Sequence, residues 1–282
     1  MKTGLLRSIR ESAGRKCAAA LGWALAPSEK SLAQVDWVKW ANHFVRNGSN
    51  RSEPNWEAAK SLSPERIRKL LPSLQQFEIG DGGGPAGLIA FNAEAFRSAG
   101  PEVRLVVDAW FAEEREHSRL LGCAVARFGG ELILAHWSFA AFCLVRRLMG
   151  VRFELQVLLL TEIVSSAYYQ VLKRRCYDQA LEEMCALILR DEAGHIAFHL
   201  DRLAAADESV LGMRRKAWES QFWVMGYSAA TLLWVNHGPC LAPLGARSSE
   251  YYREVRDGIS KFVEELQRRA LGTDALLVTD IR

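Results

Sequence analysis

The stretch LQVLLLTEIVSSAYYQVL, residues 155–172, carries one carboxylate, Glu162, in an otherwise apolar run of about five helical turns. Apolar residues fall on all faces of the predicted helix, which is typical of a helix buried in a protein core. An unpaired carboxylate buried there would cost several kcal/mol, so Glu162 needs a partner, and a metal ion is a strong one. The alternative interpretation is that Glu162 faces solvent or pairs with an arginine.

Two further stretches place a histidine three residues after a glutamate. FAEEREH contains Glu114 and His117, and RDEAGHIAFH contains Glu192 and His195. Positions i and i+3 lie on one face of a helix, so each pair presents a carboxylate and an imidazole together. About 0.5 such pairs would arise by chance in a chain of this composition, so the pairs alone are only suggestive.

Along the chain, one Glu-x-x-His pair comes before Glu162 and the other comes after it, and this order is informative about the kind of site. Four-helix bundles that bind two iron or manganese ions use one carboxylate from each of two helices and a Glu-x-x-His pair from each of the other two. Bridging carboxylates hold two cations, one imidazole per metal favours iron or manganese, and open positions admit O2. The pattern therefore predicts a two-metal site and requires one more carboxylate upstream of Glu114.

The upstream carboxylate is predicted from helix geometry. If SAGP, residues 98–101, is the turn of an antiparallel helical hairpin, the residue level with Glu114 lies near positions 81–86. Asp81 is the nearest acidic candidate. Glu78 lies one turn further away, and Glu94 is too near the turn.

These motifs resemble the ferritin-like di-iron carboxylate superfamily, and more narrowly a group of bacterial ferritin-like domain proteins of mostly unassigned activity. The resemblance rests on SLQQFEIGDG, FAEEREH, LLLTEIVSSAYYQVL and MCALILRDEAGHIAFH, and it covers roughly residues 35–245. It implies a ferritin-like four-helix bundle with additional N- and C-terminal helices and two Fe ions, or a Mn/Fe pair, per chain. The ligands that it implies are Glu114, His117, Glu162, Glu192 and His195, with Asp81 in the place where the group has a glutamate. Gly84 stands where the group has a second acidic residue.

Three residues near the ligands have supporting or alternative roles. Asp191 is predicted to accept the free N–H of a ligand histidine, with His117 as the preferred partner. His199, one turn beyond His195, is interpreted as a helix-end histidine bonded to solvent, with an extra metal ligand as the alternative. Tyr169 is predicted to pack in the core, with a hydrogen bond near the metals or a redox role as the alternative.

Strand signals are nearly absent, so we predict an all-α protein. The predicted parts are an N-terminal helical extension over 1–62, the four-helix bundle over 63–205, and a C-terminal helical extension over 206–282 packed on the bundle. Ser63 and Pro64 predict a helix start, and Pro72 predicts its end. The run GDGGGPAG, residues 80–87, predicts a break near 82–85, because an interior Gly costs about 1 kcal/mol and Pro about 3 kcal/mol relative to Ala.

Other helix boundaries follow from capping and loop residues. The first helix is expected from Ser31 to about Arg46, and HGPCLAPLG, residues 237–245, is expected to form a loop. The apolar run 132–145, interrupted by His136, is too short to span a bilayer and predicts a buried helix.

Composition limits the partners and the compartment. The net charge is only +3 and the basic residues are scattered, which argues against nucleic-acid binding. No membrane span is predicted. Six cysteines without CxxC spacing suit reduced thiols and a cytoplasmic location. RKCAAALGWALAPS, residues 15–28, resembles a secretory signal, so export is the alternative.

Together these features predict an oxidoreductase that uses O2 and a di-iron or Mn/Fe centre to hydroxylate, N-oxygenate or desaturate an unknown small organic molecule. The helices outside the bundle could close a pocket over the site. An electron-donor protein and a homodimer are open expectations. Two alternatives remain: an iron-binding protein with ferroxidase activity and no organic substrate, or a metal-poor structural or interaction protein, which the run GDGGGPAG favours.

Overall fold

The structure, a computed structural model, describes residues 34–83, 87–148, 150–206 and 213–279. All secondary structure in these ranges is helical and none is strand, which confirms the predicted all-α class. The signal-like segment 15–28 lies outside the described residues.

Nine α-helices occur in the described ranges: α1 Trp37–Ser49, α2 Pro64–Glu78, α3 Ala93–Arg97, α4 Pro101–Arg127, α5 Trp137–Leu148, α6 Val151–Cys176, α7 Gln179–Ala206, α8 Met213–Leu241 and α9 Ser248–Thr279. A π-helical turn, Ile79–Gly83, continues α2. A short 3₁₀ turn, Ala242–Leu244, follows α8.

Side-chain caps set the starts of the first two helices. The Asp36 carboxylate accepts the Lys39 N–H at 2.8 Å, so α1 begins at Trp37 and not at the predicted Ser31, which lies outside the described residues. The Ser63 hydroxyl accepts the Arg66 N–H at 3.4 Å, and Pro64 occupies the first position of α2. The predicted start of α2 is therefore confirmed.

Two prolines lie inside helices, although we expected Pro72 to end a helix and Pro239 to lie in a loop. Pro72 sits within α2, which continues to Glu78, and Pro239 sits within α8, which continues to Leu241. A proline inside a helix removes one backbone hydrogen bond at a cost of about 3 kcal/mol. Leu70 and Leu74 are fully buried on either side of Pro72, and that burial offsets the cost.

Backbone contacts divide the chain into two compact units. The described part of the first comprises Asp36–Ser52 and Leu74–Leu158, and the second consists mainly of Glu53–Ser73 and the chain from Leu159 onward. The boundary falls inside α2 and inside α6. The three-part division at residues 62 and 205 stays a prediction.

In the first unit, α4 is the helix on which α1 and the π-helical turn pack. Trp40 and Phe44 of α1 are buried. The Asn47 amide donates to the buried Glu113 carboxylate of α4 at 2.8 Å, and Arg51 lies 3.3 Å from the same oxygen. These polar contacts fix the position of α1 along α4.

A buried ion pair holds the segment that follows the glycine run. The Glu154 carboxylate of α6 accepts the N–H groups of Ile89 at 2.8 Å and Ala90 at 2.9 Å, and it accepts the Arg146 guanidinium of α5 at 3.0 Å. Arg146 also donates to the Gly87 carbonyl at 2.5 Å. Burial raises the pKa of Glu154, and the charge of Arg146 opposes that shift.

In the second unit, α9 packs on α7 and α8. A buried polar network links its other helices: the Ser73 hydroxyl lies 2.7 Å from the Tyr168 hydroxyl and 2.8 Å from His237 Nδ1. His237 belongs to the stretch predicted as a loop. That prediction is wrong, because burial of His237 and Leu241 keeps the stretch helical.

In the described part of the chain, one helix, α6, is long and apolar enough to cross a membrane by length and composition alone. It carries Glu162, and 67% of its most apolar window is buried inside the protein, as the core helix of a globular protein would be. The five cysteines in the described residues are free thiols, as expected.

The run 132–145 is not the buried helix that we predicted. Leu134 is 97% exposed and Trp137 is 61% exposed. The helix in this run, α5, instead turns the side that carries Cys143 and Arg146 inward, because Arg146 pairs with the buried Glu154.

The ion pair gives a stability prediction. Replacing Glu154 by Ala leaves Arg146 buried without its carboxylate and removes the acceptor of two backbone N–H groups, so we expect the free energy of unfolding to fall by about 3–5 kcal/mol. Urea denaturation followed by circular dichroism measures this. The control is Glu94→Ala, which removes an exposed pair with Arg104 and should cost less than about 1 kcal/mol. Equal small losses in both variants would contradict the role given to Glu154.

Candidate metal centre

Three of the predicted ligands come from α6 and α7. Glu192 and His195 lie on one face of α7, and Glu192 Oε2 is 3.2 Å from His195 Nδ1. Glu162 Oε2 of α6 is 3.7 Å from the same nitrogen. All three residues are buried. Glu162 therefore does not face solvent, which removes one alternative considered for it.

Glu114 of α4 is also buried and is held by its own helix. The Trp110 indole N–H, one turn earlier, donates to Glu114 Oε1 at 3.1 Å. Glu114 Oε2 lies 3.8 Å from Nδ1 of the fully buried His117. One carboxylate oxygen is thus positioned by Trp110, while the other is on the side of the imidazole.

Glu114, Glu162, Glu192 and His195 form a buried cluster in which each residue offers one ligand atom, and these atoms all lie within 4.8 Å of one another. Three buried carboxylates so close together repel each other, and a cation would neutralise that repulsion. Carboxylate oxygen and imidazole nitrogen suit iron, manganese and zinc. The cluster could therefore hold a metal ion.

His117 and Asp81 lie outside this four-residue cluster. His117 is buried beside Glu114. Asp81 belongs to the π-helical turn and is only half-buried. Ligation of a metal by either residue stays a prediction.

The glycine run has a packing role that the sequence did not reveal. A Cβ atom added at Gly82 would lie 2.8 Å from the Arg115 Cα, 2.9 Å from the Glu114 carbonyl oxygen and 2.9 Å from the Ser118 Cβ. Only glycine allows the π-helical turn to approach the α4 backbone so closely. α-Helical geometry ends at Glu78, before the predicted break at 82–85, and the π-helical turn extends the helix to Gly83. The turn therefore contacts α4 at the level of Glu114.

Glu78 was the second choice after Asp81 for the upstream ligand, but it is the more buried of the two acidic residues. Its Oε1 accepts the Ser118 hydroxyl of α4 at 3.1 Å. Glu78 thus supports the contact between the end of α2 and α4.

The three supporting residues occupy buried positions on α6 and α7. Asp191 is fully buried and accepts the Arg190 guanidinium at 3.2 Å. We predicted that His199 is bonded to solvent. That prediction is wrong, because His199 is fully buried. Its Nδ1 lies 3.2 Å from Arg202 Nη2. Because a guanidinium only donates, His199 Nδ1 is the acceptor, and the ring proton is on Nε2.

Tyr169 is fully buried in α6 and packs edge-on against Tyr168, with ring centroids 5.3 Å apart. A contact of Tyr169 with a metal centre stays a prediction.

Sequence reasoning missed Trp110 and Ser118. Both are buried on α4 and donate to the carboxylates Glu114 and Glu78. Trp110 precedes Glu114 by four residues, so the i, i+4 rule could have identified it as a neighbour. Ser118 donates across to α2, and sequence spacing carries no signal for such a contact.

Comparisons of the chain with models of protein families, with curated protein sequences and with solved structures found no match. The described residues are all-helical and contain a buried acidic and histidine cluster that could bind metal.

The close approach at Gly82 can be tested by a pair of alanine variants. Gly82→Ala forces the new methyl group into backbone atoms of α4, so we expect it to lower the free energy of unfolding by about 1–3 kcal/mol. Gly80→Ala, two residues earlier with nothing within 4 Å, should change stability by less than about 1 kcal/mol. Chemical denaturation of both variants gives the comparison. If Gly80→Ala were as destabilising as Gly82→Ala, the close approach would not be the cause.

Proposed function

We propose that this chain is a ferritin-like oxidoreductase that uses O2 and a non-haem di-iron, or Mn/Fe, carboxylate centre to oxidise a small organic molecule. The observation that supports this proposal most is the buried cluster of Glu114, Glu162, Glu192 and His195. A surface ion pair or a core histidine would not need three carboxylates around one imidazole in the protein interior.

The proposed metal ligands divide between two ions. Glu192 and His195 would bind one ion, Glu114 and His117 the other, and Glu162 would bind in the same cluster, with Asp81 as a sixth ligand. This donor set, with one imidazole per ion and carboxylates for the rest, is the one expected for iron or manganese. When bound, the metal pair supplies the electrons that activate O2 for hydroxylation, N-oxygenation or desaturation of the substrate.

The residues of the chain have three tasks at such a centre. Trp110 holds one oxygen of Glu114 and so limits how that carboxylate can turn. Leu158 and Leu159, one turn before Glu162 on α6, are buried and keep water away from its carboxylate. The ion pair of Arg190 with Asp191 keeps a charged carboxylate fixed directly before the ligand Glu192.

The glycine run in the sequence favours a metal-poor interaction protein, because it interrupts the helix that would carry a ligand. The packing of Gly82 supports a metal site instead, because it brings the π-helical turn onto α4 at Glu114. Asp81 directly precedes Gly82, the residue at which the π-helical turn contacts the ligand helix α4.

Metal analysis tests the proposal. We expect the purified chain, loaded anaerobically with Fe(II), to hold about two ions by elemental analysis, and Glu192→Ala to hold about one ion fewer, because it removes a buried ligand of one of the two ions. Glu182→Ala, on the same helix outside the cluster, is the matched control and should bind as the wild type does. Mixing the Fe(II) form with O2 should then change the near-UV and visible spectrum in wild type and control only.

Less than half an equivalent of metal in all three proteins, with no spectral change, would contradict the proposal. Unchanged stoichiometry in Asp81→Ala would remove Asp81 from the ligands. Repeated oxidation of added Fe(II) with release of ferric iron would favour the ferroxidase alternative over an organic substrate.

A further inference from the structure

Helix α5 exposes a continuous apolar stripe on one side. Its members recur at helical spacing, i, i+3, i+4, i+7 and i+8, so they share one face. They are Trp137, Ala140, Ala141, Leu144 and Val145. Leu132 and Leu134, in the segment before the helix, are exposed as well. These seven residues are called the α5 surface below.

The exposure of this surface is unusual for large apolar side chains. Leu134 is 97% exposed, Trp137 61% and Leu144 57%. Together the large side chains leave on the order of 500 Å² of apolar area in water, which is at the upper end for a monomer and typical of an interaction site. A standard dimer interface covers about 800 Å² on each partner, of which an apolar centre of this size is a normal share.

The charges around the surface indicate what covers it. No charged residue occurs between Glu131 and Arg146, and Arg146 is buried in its pair with Glu154. The exposed charges that border the surface along the chain are Glu131 before the helix and Arg147 in its last turn. An anionic lipid surface would favour basic residues at both ends. One acid and one base at opposite ends are instead complementary to a second copy that runs in the opposite direction.

We infer that the α5 surface is the interface of a two-fold homodimer in which α5 packs antiparallel against α5 of a second copy. Trp137 of one copy then lies near the last turn of the other helix, and Glu131 faces the partner's Arg147. The middle of the stripe, Ala141, lies at the two-fold axis, where its small side chain lets the helices approach. Tryptophan, the residue at position 137, is among the residue types that contribute most to the binding energy of such interfaces.

Helix α8 offers the best internal comparison. It also exposes apolar residues, among them Val224 at 67% and Val235 at 66%. Polar Ser228 and Thr231 interrupt that face, and no tryptophan is among its exposed large residues. It therefore supplies matched control positions for variants of the α5 surface.

Sedimentation of the full chain measures the dimer. We expect wild type to be dimeric at about 1–100 µM, and Leu144→Glu, which buries an unpaired charge in the interface, to raise the dimer Kd at least tenfold. Val224→Glu on α8 should leave the Kd unchanged. Both positions are exposed, and circular dichroism checks that the variants are folded. A monomeric wild type over the whole range, or dissociation by Val224→Glu instead of Leu144→Glu, would overturn the inference.

Cysteine crosslinking tests the antiparallel arrangement. Under mild oxidation, Ala141→Cys should give a reducible dimer on gel electrophoresis, whereas Ser228→Cys on α8 should give no more dimer than wild type. A crosslink at 228 and none at 141 would overturn the proposed interface. Binding of a monomeric chain to vesicles of anionic lipid, abolished by Leu144→Glu, would also overturn it and assign the α5 surface to lipid.

Discussion

Repulsion among three buried carboxylates is the constraint that the interior of this protein must satisfy. Glu114, Glu162 and Glu192 place oxygens within 4.8 Å of one another and of His195. Two unit charges at that separation repel by about 3–4 kcal/mol at an effective dielectric constant near 20, which is comparable to much of the stability of a folded domain. A cation bound among these carboxylates would offset the repulsion and so stabilise the fold.

The helices around the cluster meet this constraint by holding the carboxylates in place. Trp110 donates to Glu114, and Ser118 donates to Glu78, so α4 fixes one carboxylate of its own and one of α2. Gly82 removes the side chain that would keep the π-helical turn away from α4. Further along the chain, Glu154 and Arg146 hold the segment that leaves the glycine run and also turn the apolar stripe of α5 outward.

Periodicity, capping and i, i+3 spacing were enough to predict an all-helical chain, the start of α2 and four buried residues that cluster. They failed where packing outweighs local preference. Pro72 and Pro239 lie inside helices because their neighbours are buried, and the apolar run 132–145 is exposed because a distant carboxylate selects the inward side of α5. The role of Gly82 depends on the distance between two helices, and no local pattern in a single sequence records such a distance.

The proposed binding of two metal ions at the buried cluster can be tested by anomalous diffraction from crystals of the chain loaded with Fe(II). Data collected on both sides of the iron absorption edge locate iron without reference to activity. We expect two anomalous peaks, one within bonding distance of Glu192 and His195 and one within bonding distance of Glu114 and His117. Full iron loading with no peak at the cluster of Glu114, Glu162, Glu192 and His195 would contradict the proposed binding.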